Sequence, residues 1–258
     1  MDKRLKKMTA IFFLAAAADL FLAAVLLASL ARQRAEGAAA LGAGQVVEDG
    51  GWDGPGTEEA GAVALTFDDG PNARYTEALL DGLKERGIQA SFFLAGQCIE
   101  GNEATVRRMA EEGHLIGVHC MEHRDLTREP EEEAVRQLMD TAAMIGAVTG
   151  RTPEYIRPPF GKWSSGLQEA VPMETVLWSV DSLDWKLQDT DRIVRRVLKD
   201  TEDGDIILMH DLYGTSADAA VALIPELKKR GYQLVTVSEM ASLRGGMKPG
   251  QVYHSFRP

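Results

Sequence analysis

From Ala62 onward, short apolar runs alternate with longer amphipathic segments. The runs read as strands and the amphipathic stretches as helices. Val63 to Phe67 predicts a strand, Tyr75 to Arg86 a helix closed by Gly87, and Ala90 to Ala95 a second strand. Glu103 to Glu112 predicts a helix capped by Gly113, with a short strand at Leu115 to Val118. A long helix follows from Glu131 to Thr149, started after Pro130 and stopped by Gly150. Its acidic start, Glu129 to Glu133, suits the positive end of a helix dipole. Tyr155-Ile156, Thr175 to Val180, Asp205 to Met209 and Gln233 to Val237 are further strands. Helices are predicted between them at Asp191 to Asp200 and Ser216 to Arg230. Repeated strand–helix units of this kind predict an α/β fold, a parallel sheet with covering helices. No internal repeat and no second folded domain is visible.

The pattern before Ala62 is different. Lys3, Arg4, Lys6 and Lys7 precede an apolar run from Met8 to Ala31. A span of about 20 helical residues crosses a bilayer core, and basic residues before it favour a cytoplasmic N-terminus. Asp19 interrupts the run. Its cost, roughly 2.5 to 3.5 kcal/mol, is offset by the many Leu, Ile, Phe and Val residues at about 0.3 to 0.6 kcal/mol each. Residues 1–31 are therefore read as a membrane anchor. A cleaved signal peptide is the competing reading, with Ser29-Leu30-Ala31 as a passable cleavage site. Residues 32–60, dominated by Ala, Gly and acidic side chains, read as a flexible linker. The folded domain is placed at 61–245 and a C-terminal tail at 246–258. The expected location is the outer face of the membrane, or secretion if the N-terminal segment is cleaved.

Composition narrows the partners. The chain has 258 residues, 45% of them hydrophobic, which is enough for a sizeable core. Its formal charge is −11, from 28 basic and 39 acidic residues. Without a clustered basic face, nucleic acid is not an expected partner. Cys98 and Cys120 are the only cysteines, so no disulfide scaffold is expected. Cys120 reads as a small buried thiol, with metal ligation as the lesser alternative.

Candidate chemistry gathers at predicted strand ends: Asp68-Asp69, His119, Arg157, Asp181 and His210. Barrels of alternating strands and helices place their sites there. Asp68-Asp69 follow an apolar strand and precede Gly70-Pro71, a rigid platform ending in a turn. His119 and His123, spaced i, i+4, can project from one face of a helical turn and share a metal. One carboxylate and two imidazoles with room for water is the composition of a catalytic zinc or similar site. His114 and His254 have no partner motif and are read as structural. Asp181 is open between a turn role and a site role.

Five blocks stand in order: Thr66-Phe67-Asp68-Asp69-Gly70-Pro71, His119 to His123, Arg157-Pro158-Pro159-Phe160-Gly161, Asp181-Ser182-Leu183-Asp184-Trp185 and Ile206-Ile207-Leu208-Met209-His210. Together they resemble the polysaccharide deacetylases with a NodB-type domain, carbohydrate esterase family 4, over about residues 61 to 240. The resemblance implies a distorted (β/α) barrel of about seven strands. It also implies removal of N-acetyl groups from sugars with a divalent metal, Zn2+ foremost and Co2+ or Ni2+ as alternatives. By that resemblance Asp69, His119 and His123 hold the metal, Asp68 is the general base and His210 the general acid. Arg157 then pairs with Asp68, and Asp184 orients His210. Leu208 and Trp185 line the acetyl pocket, and the Phe160 backbone N–H assists at the oxyanion. Two departures stand out: Cys120 replaces the usual Ser or Thr, and Phe160 the usual Tyr.

The roles make chemical sense. An amide carbonyl is a poor electrophile and neutral water a poor nucleophile, and a divalent metal addresses both. One carboxylate must bind the metal while another accepts a proton. An arginine beside Asp68 favours its ionised form. A histidine held by a carboxylate can protonate the departing amine. The expected substrate is cell-wall peptidoglycan, at its N-acetylglucosamine, with N-acetylmuramic acid or chitin oligomers as alternatives. A catalytically silent glycan-binding module on the same fold is the reading from a different class.

Overall fold

The computed structural model describes residues 61–258. The predicted membrane segment, 1–31, and the linker, 32–60, lie outside the described residues. Among the described residues no helix is long and apolar enough to cross a membrane.

The elements follow in order β1 (Ala62–Asp68), α1 (Tyr75–Glu85), β2 (Ser91–Ala95), α2 (Glu103–Glu111), β3 (Leu115–Cys120) and α3 (Glu131–Thr149). Next come β4 (Tyr155–Ile156), α4 (Ser165–Ala170), β5 (Glu174–Val176), β6 (Val180–Asp181), α5 (Asp184–Leu187) and α6 (Thr190–Asp200). Last are β7 (Ile206–His210), α7 (Gly214–Lys229), β8 (Gln233–Leu234), α8 (Val237–Leu243) and β9 (Val252–Tyr253). The strands form one curled sheet in the order β6-β7-β1-β2-β3-β4-β5-β9, with β8 paired to the start of β1. Every strand pairing in the sheet is parallel. This is the distorted (β/α) barrel, with nine short strands in place of about seven.

Its centre is β1, all seven of whose residues are buried. A strand flanked on both edges and covered on both faces must be apolar throughout rather than alternating. Thr66 and Asp68 are its polar exceptions, and both are used at the site. Phe67 stacks on Phe92 of β2 at 5.1 Å between ring centroids. The register sets Asp68 opposite His210 of β7, which brings two of the five sequence blocks side by side.

Four details depart from the sequence pattern. The predicted strand Thr175 to Val180 breaks into β5 and β6. The Arg157 side chain takes the Val176 and Leu177 carbonyls at 3.2 and 2.9 Å, where β5 ends. The predicted strand Gln233 to Val237 stops at Leu234. Thr236 accepts from the Glu239 N–H while Glu239 accepts from the Thr236 N–H, a capping box that starts α8. Residues 246–258, read as a tail, instead supply β9, which pairs with β5. Beyond it Ser255 bridges Asp205, the Phe256 N–H donates to the Gly204 carbonyl at 2.7 Å, and Arg257 Nε reaches Asp205 at 2.8 Å. This segment joins the β5 side of the sheet to the β7 side. Finally, His119 lies on β3, not on a helical turn, and His123 lies in the loop that follows.

His114 is structural, as its lack of a motif suggested. Its Nδ1 accepts from the Ala90 N–H at 3.0 Å and its ring stands edge-on to Phe92. Burial pushes its pKa down to about 4. The native state therefore excludes a proton that the unfolded chain takes up near pH 6.5. Stability is full above that pH and falls as pH drops from about 6.5 towards 4, by roughly 3 kcal/mol. Thermal melts across this range should show the loss, and His114→Gln should flatten it.

Candidate active site

At the C-terminal end of β1 the chain turns sharply. Asp68 closes the strand, and Asp69 takes a left-handed conformation, φ 74°. Such a backbone costs a non-glycine residue about 1–3 kcal/mol and persists only where its surroundings hold it.

Asp68 is buried and hydrogen-bonded to Arg157 Nη1 at 2.8 Å. Arg157 is itself wholly buried, which a guanidinium tolerates only when each face and edge is matched. Nη1 also donates to Thr66 Oγ1 at 2.7 Å, and Nε and Nη2 take the Val176 and Leu177 carbonyls described above. Its plane lies over Phe93, 4.2 Å from the ring centroid. Thr66 in turn donates to the Ile207 carbonyl at 2.7 Å. Thr66 was not singled out from sequence, although an OH-bearing residue in an otherwise apolar strand was the visible signal.

Asp69, His119 and His123 converge. One donor atom from each lies within 4.8 Å of the other two. Asp69 Oδ1 stands 3.2 Å from His119 Nε2 and 3.6 Å from His123 Nε2. His119 Nδ1 lies 2.6 Å from the Arg157 carbonyl, which can only accept. Nδ1 therefore carries a proton, the tautomer whose Nε2 lone pair faces the centre of the group. Asp69 Oδ1 is buried without a hydrogen-bond partner. Lone pairs facing each other around an unsatisfied carboxylate oxygen are what a divalent cation requires, so the donor set fits one. His123 is steadied by the edge-on ring of Phe160, 4.5 Å away.

Cys120 does not join this group. Successive side chains of a strand point to opposite faces, so next to His119 the thiol faces the core. It is fully buried, and burial pushes its pKa well above the usual thiol range.

On the neighbouring strand, His210 Nδ1–H donates to Asp184 Oδ1 at 2.7 Å, and the His210 backbone N–H donates to Asp184 Oδ2 at 2.7 Å. The Trp185 N–H adds a third bond to Asp184, at 2.9 Å. The turn that delivers Asp184 is built by its own side chains. Asp181 Oδ1 accepts from the Leu183 N–H at 2.9 Å, and Leu183 takes φ 51°. Asp181 is thus a turn residue, the open point of the sequence reading. Burial alone would lower the His210 pKa, but the bond and charge of Asp184, with Asp68 and Asp69, raise it to about 9. The same bond holds the Asp184 carboxyl below its ordinary value despite burial. In the metal-free chain His210 should stay protonated up to about pH 9, and Asp184→Asn should lower that titration. Nitrogen NMR of the histidine rings measures both.

Phe160 and Trp185 are the large aromatics left in solvent beside these groups, 57% and 51% exposed. Phe160 holds φ 60°. Leu208 is buried on β7 opposite Thr66 and Asp181.

The fold and the site together define a class of protein. The polysaccharide deacetylase profile matches residues 56–173. The chain is 42% identical over 182 residues to the peptidoglycan-N-acetylmuramic acid deacetylase PdaC of Bacillus subtilis, covering 70% of this chain and 39% of PdaC. It is 34% identical over 197 residues to a peptidoglycan-N-acetylglucosamine deacetylase of Bacillus cereus, covering 73% of this chain and 91% of that one. The solved structure of PdaC superposes with a TM-score of 0.70 at 41% identity, over 72% of this chain and 92% of the solved one. This chain belongs to the polysaccharide deacetylase family, carbohydrate esterase family 4. It spans about two fifths of the length of PdaC.

Proposed function

We propose that the chain is a metal-dependent hydrolase that removes N-acetyl groups from peptidoglycan, with N-acetylglucosamine as its sugar. The observation that carries this reading is the pairing of Asp68, locked to Arg157, with His210, locked to Asp184, across two adjacent strands beside the Asp69–His119–His123 group. A base, an acid and an ion site share one end of the sheet, a set no glycan-binding module needs.

Asp69, His119 and His123 would hold the ion, with Zn2+ favoured and Co2+ or Ni2+ as substitutes. When bound, it supplies a Lewis acid for the amide carbonyl and lowers the pKa of water. Asp68 accepts the proton of the attacking water, and Arg157 holds that carboxylate in place. His210 donates a proton to the departing sugar amine, and Asp184 stabilises the imidazolium until it does. The Phe160 backbone N–H assists at the oxyanion. Trp185 and Leu208 flank the acetyl methyl.

The 42% identity to PdaC favours N-acetylmuramic acid as the second reading. The apolar run before residue 32, with basic residues in front of it, supports an N-terminal anchor and action outside the membrane. Mass spectrometry of purified wall fragments incubated with the metal-loaded full chain tests the proposal. Each deacetylation should lower the mass of the N-acetylglucosamine ring by that of one acetyl group less the hydrogen that replaces it. Loss from the muramic ring alone would favour the second reading, and no loss with metal bound would favour the silent module.

A further inference from the structure

Behind the Asp69 turn lies a carboxyl group that none of these roles uses. Asp211, one residue past His210, is fully buried. Its Oδ2 accepts a hydrogen bond from Thr76 Oγ1, and its Oδ1 has no hydrogen-bond partner. A buried carboxyl with one unpaired oxygen is costly to keep, so its place calls for a reason.

The reason is visible at Gly70. A Cβ there would sit 2.2 Å from both Asp211 oxygens. The φ of Gly70 lies outside the left-handed region, so its backbone would accept any residue. The Asp211 carboxyl is what demands glycine there. The far side of the turn is tied to the same group: the Asn72 N–H donates to Thr76 Oγ1 at 2.7 Å, and Thr76 Oγ1 donates onward to Asp211. From the third side, the Ala95 N–H holds the Gly70 carbonyl at 3.0 Å. Between Gly70 and the strand stands Asp69, in its left-handed conformation.

We infer that Asp211, acting with Thr76, is a positioning residue for Asp69: it seats the Gly70–Asn72 turn and so fixes the carboxylate offered to the divalent cation. Because Asp211 follows His210 directly, the same two residues of β7 and its exit set the acid and the metal-binding turn in register. This rests on reading Asp69, His119 and His123 as the ion site.

Co2+ titration of the full chain tests it, with visible absorption and calorimetry as readouts. Asp211→Ala and Thr76→Val, which lose the seat, should weaken Co2+ binding about 10–100-fold, the usual effect of removing support behind a metal ligand. The Co2+ absorption bands at saturation should also change, while KM for the glycan stays. Asp211→Asn and Thr76→Ser keep an acceptor and a hydroxyl in place and should restore near wild-type affinity and spectrum. Melting of the metal-free variants reports folding. If Asp211→Ala does not fold, Thr76→Val decides, since it removes a hydroxyl without changing volume. Folded Ala and Val variants with wild-type affinity and spectrum would overturn the inference. Asp211→Asn as weak as Asp211→Ala would overturn it too, by making charge rather than seating the cause. A wild-type chain that takes up no Co2+ would sink the ion-site reading along with it.

Discussion

Asp68→Asn should bind the divalent cation as tightly as the wild-type chain yet release acetate about 10²- to 10⁴-fold more slowly, the usual weight of a general base. The carboxylate of Asp68 is not among the converging donor atoms, which come from Asp69, His119 and His123. Its business is with Arg157, at 2.8 Å, and an asparagine oxygen can still accept that bond. What the amide cannot do is take a proton. Some stability is lost as well, because a buried guanidinium is left facing a neutral partner. Calorimetric metal titration, a melting curve and an acetate-release assay separate these effects. Full turnover in the substituted enzyme would remove Asp68 from the role of base.

Asp69→Ala should do the opposite on the first count: no stoichiometric metal and acetate release at background. Asp69 Oδ1 is the atom that both imidazoles face, at 3.2 and 3.6 Å, and it is the only anionic donor of the three. Two neutral imidazoles alone hold a dication weakly. Folding should survive, since alanine tolerates the left-handed φ of 74° at a cost of about a kcal/mol or so. Elemental analysis after dialysis, set beside activity with excess Zn2+, measures both expectations. A folded variant that still carries one equivalent of metal would move the ion site elsewhere.

Much of this site was legible in the sequence because its parts lie where strands end. An apolar run that gives way to Asp68-Asp69 or to His210 announces both the strand and the point where chemistry becomes available. Spacing was a poorer guide. His119 and His123 sit i, i+4, which suggests a helix, but β3 runs through His119 and Cys120 before the chain loops back with His123. Either backbone brings the rings together, at 5.2 Å between centroids here, so the closeness of the two histidines was readable and their scaffold was not. The strand breaks after Val176, where the distant Arg157 side chain reaches the Val176 and Leu177 carbonyls. No local pattern encodes that. Thr236 and Glu239, by contrast, form a cap whose spacing stood in plain view inside a predicted strand.

The clasp made by Val252 to Arg257 sets the order in which the domain can be completed. Those residues leave the ribosome after every other strand described, and until they arrive the β5 edge has no partner on that side. A nascent chain must therefore travel with an open, sticky border that invites pairing with other chains. A stop codon shortly before Val252 would make that vulnerable interval permanent.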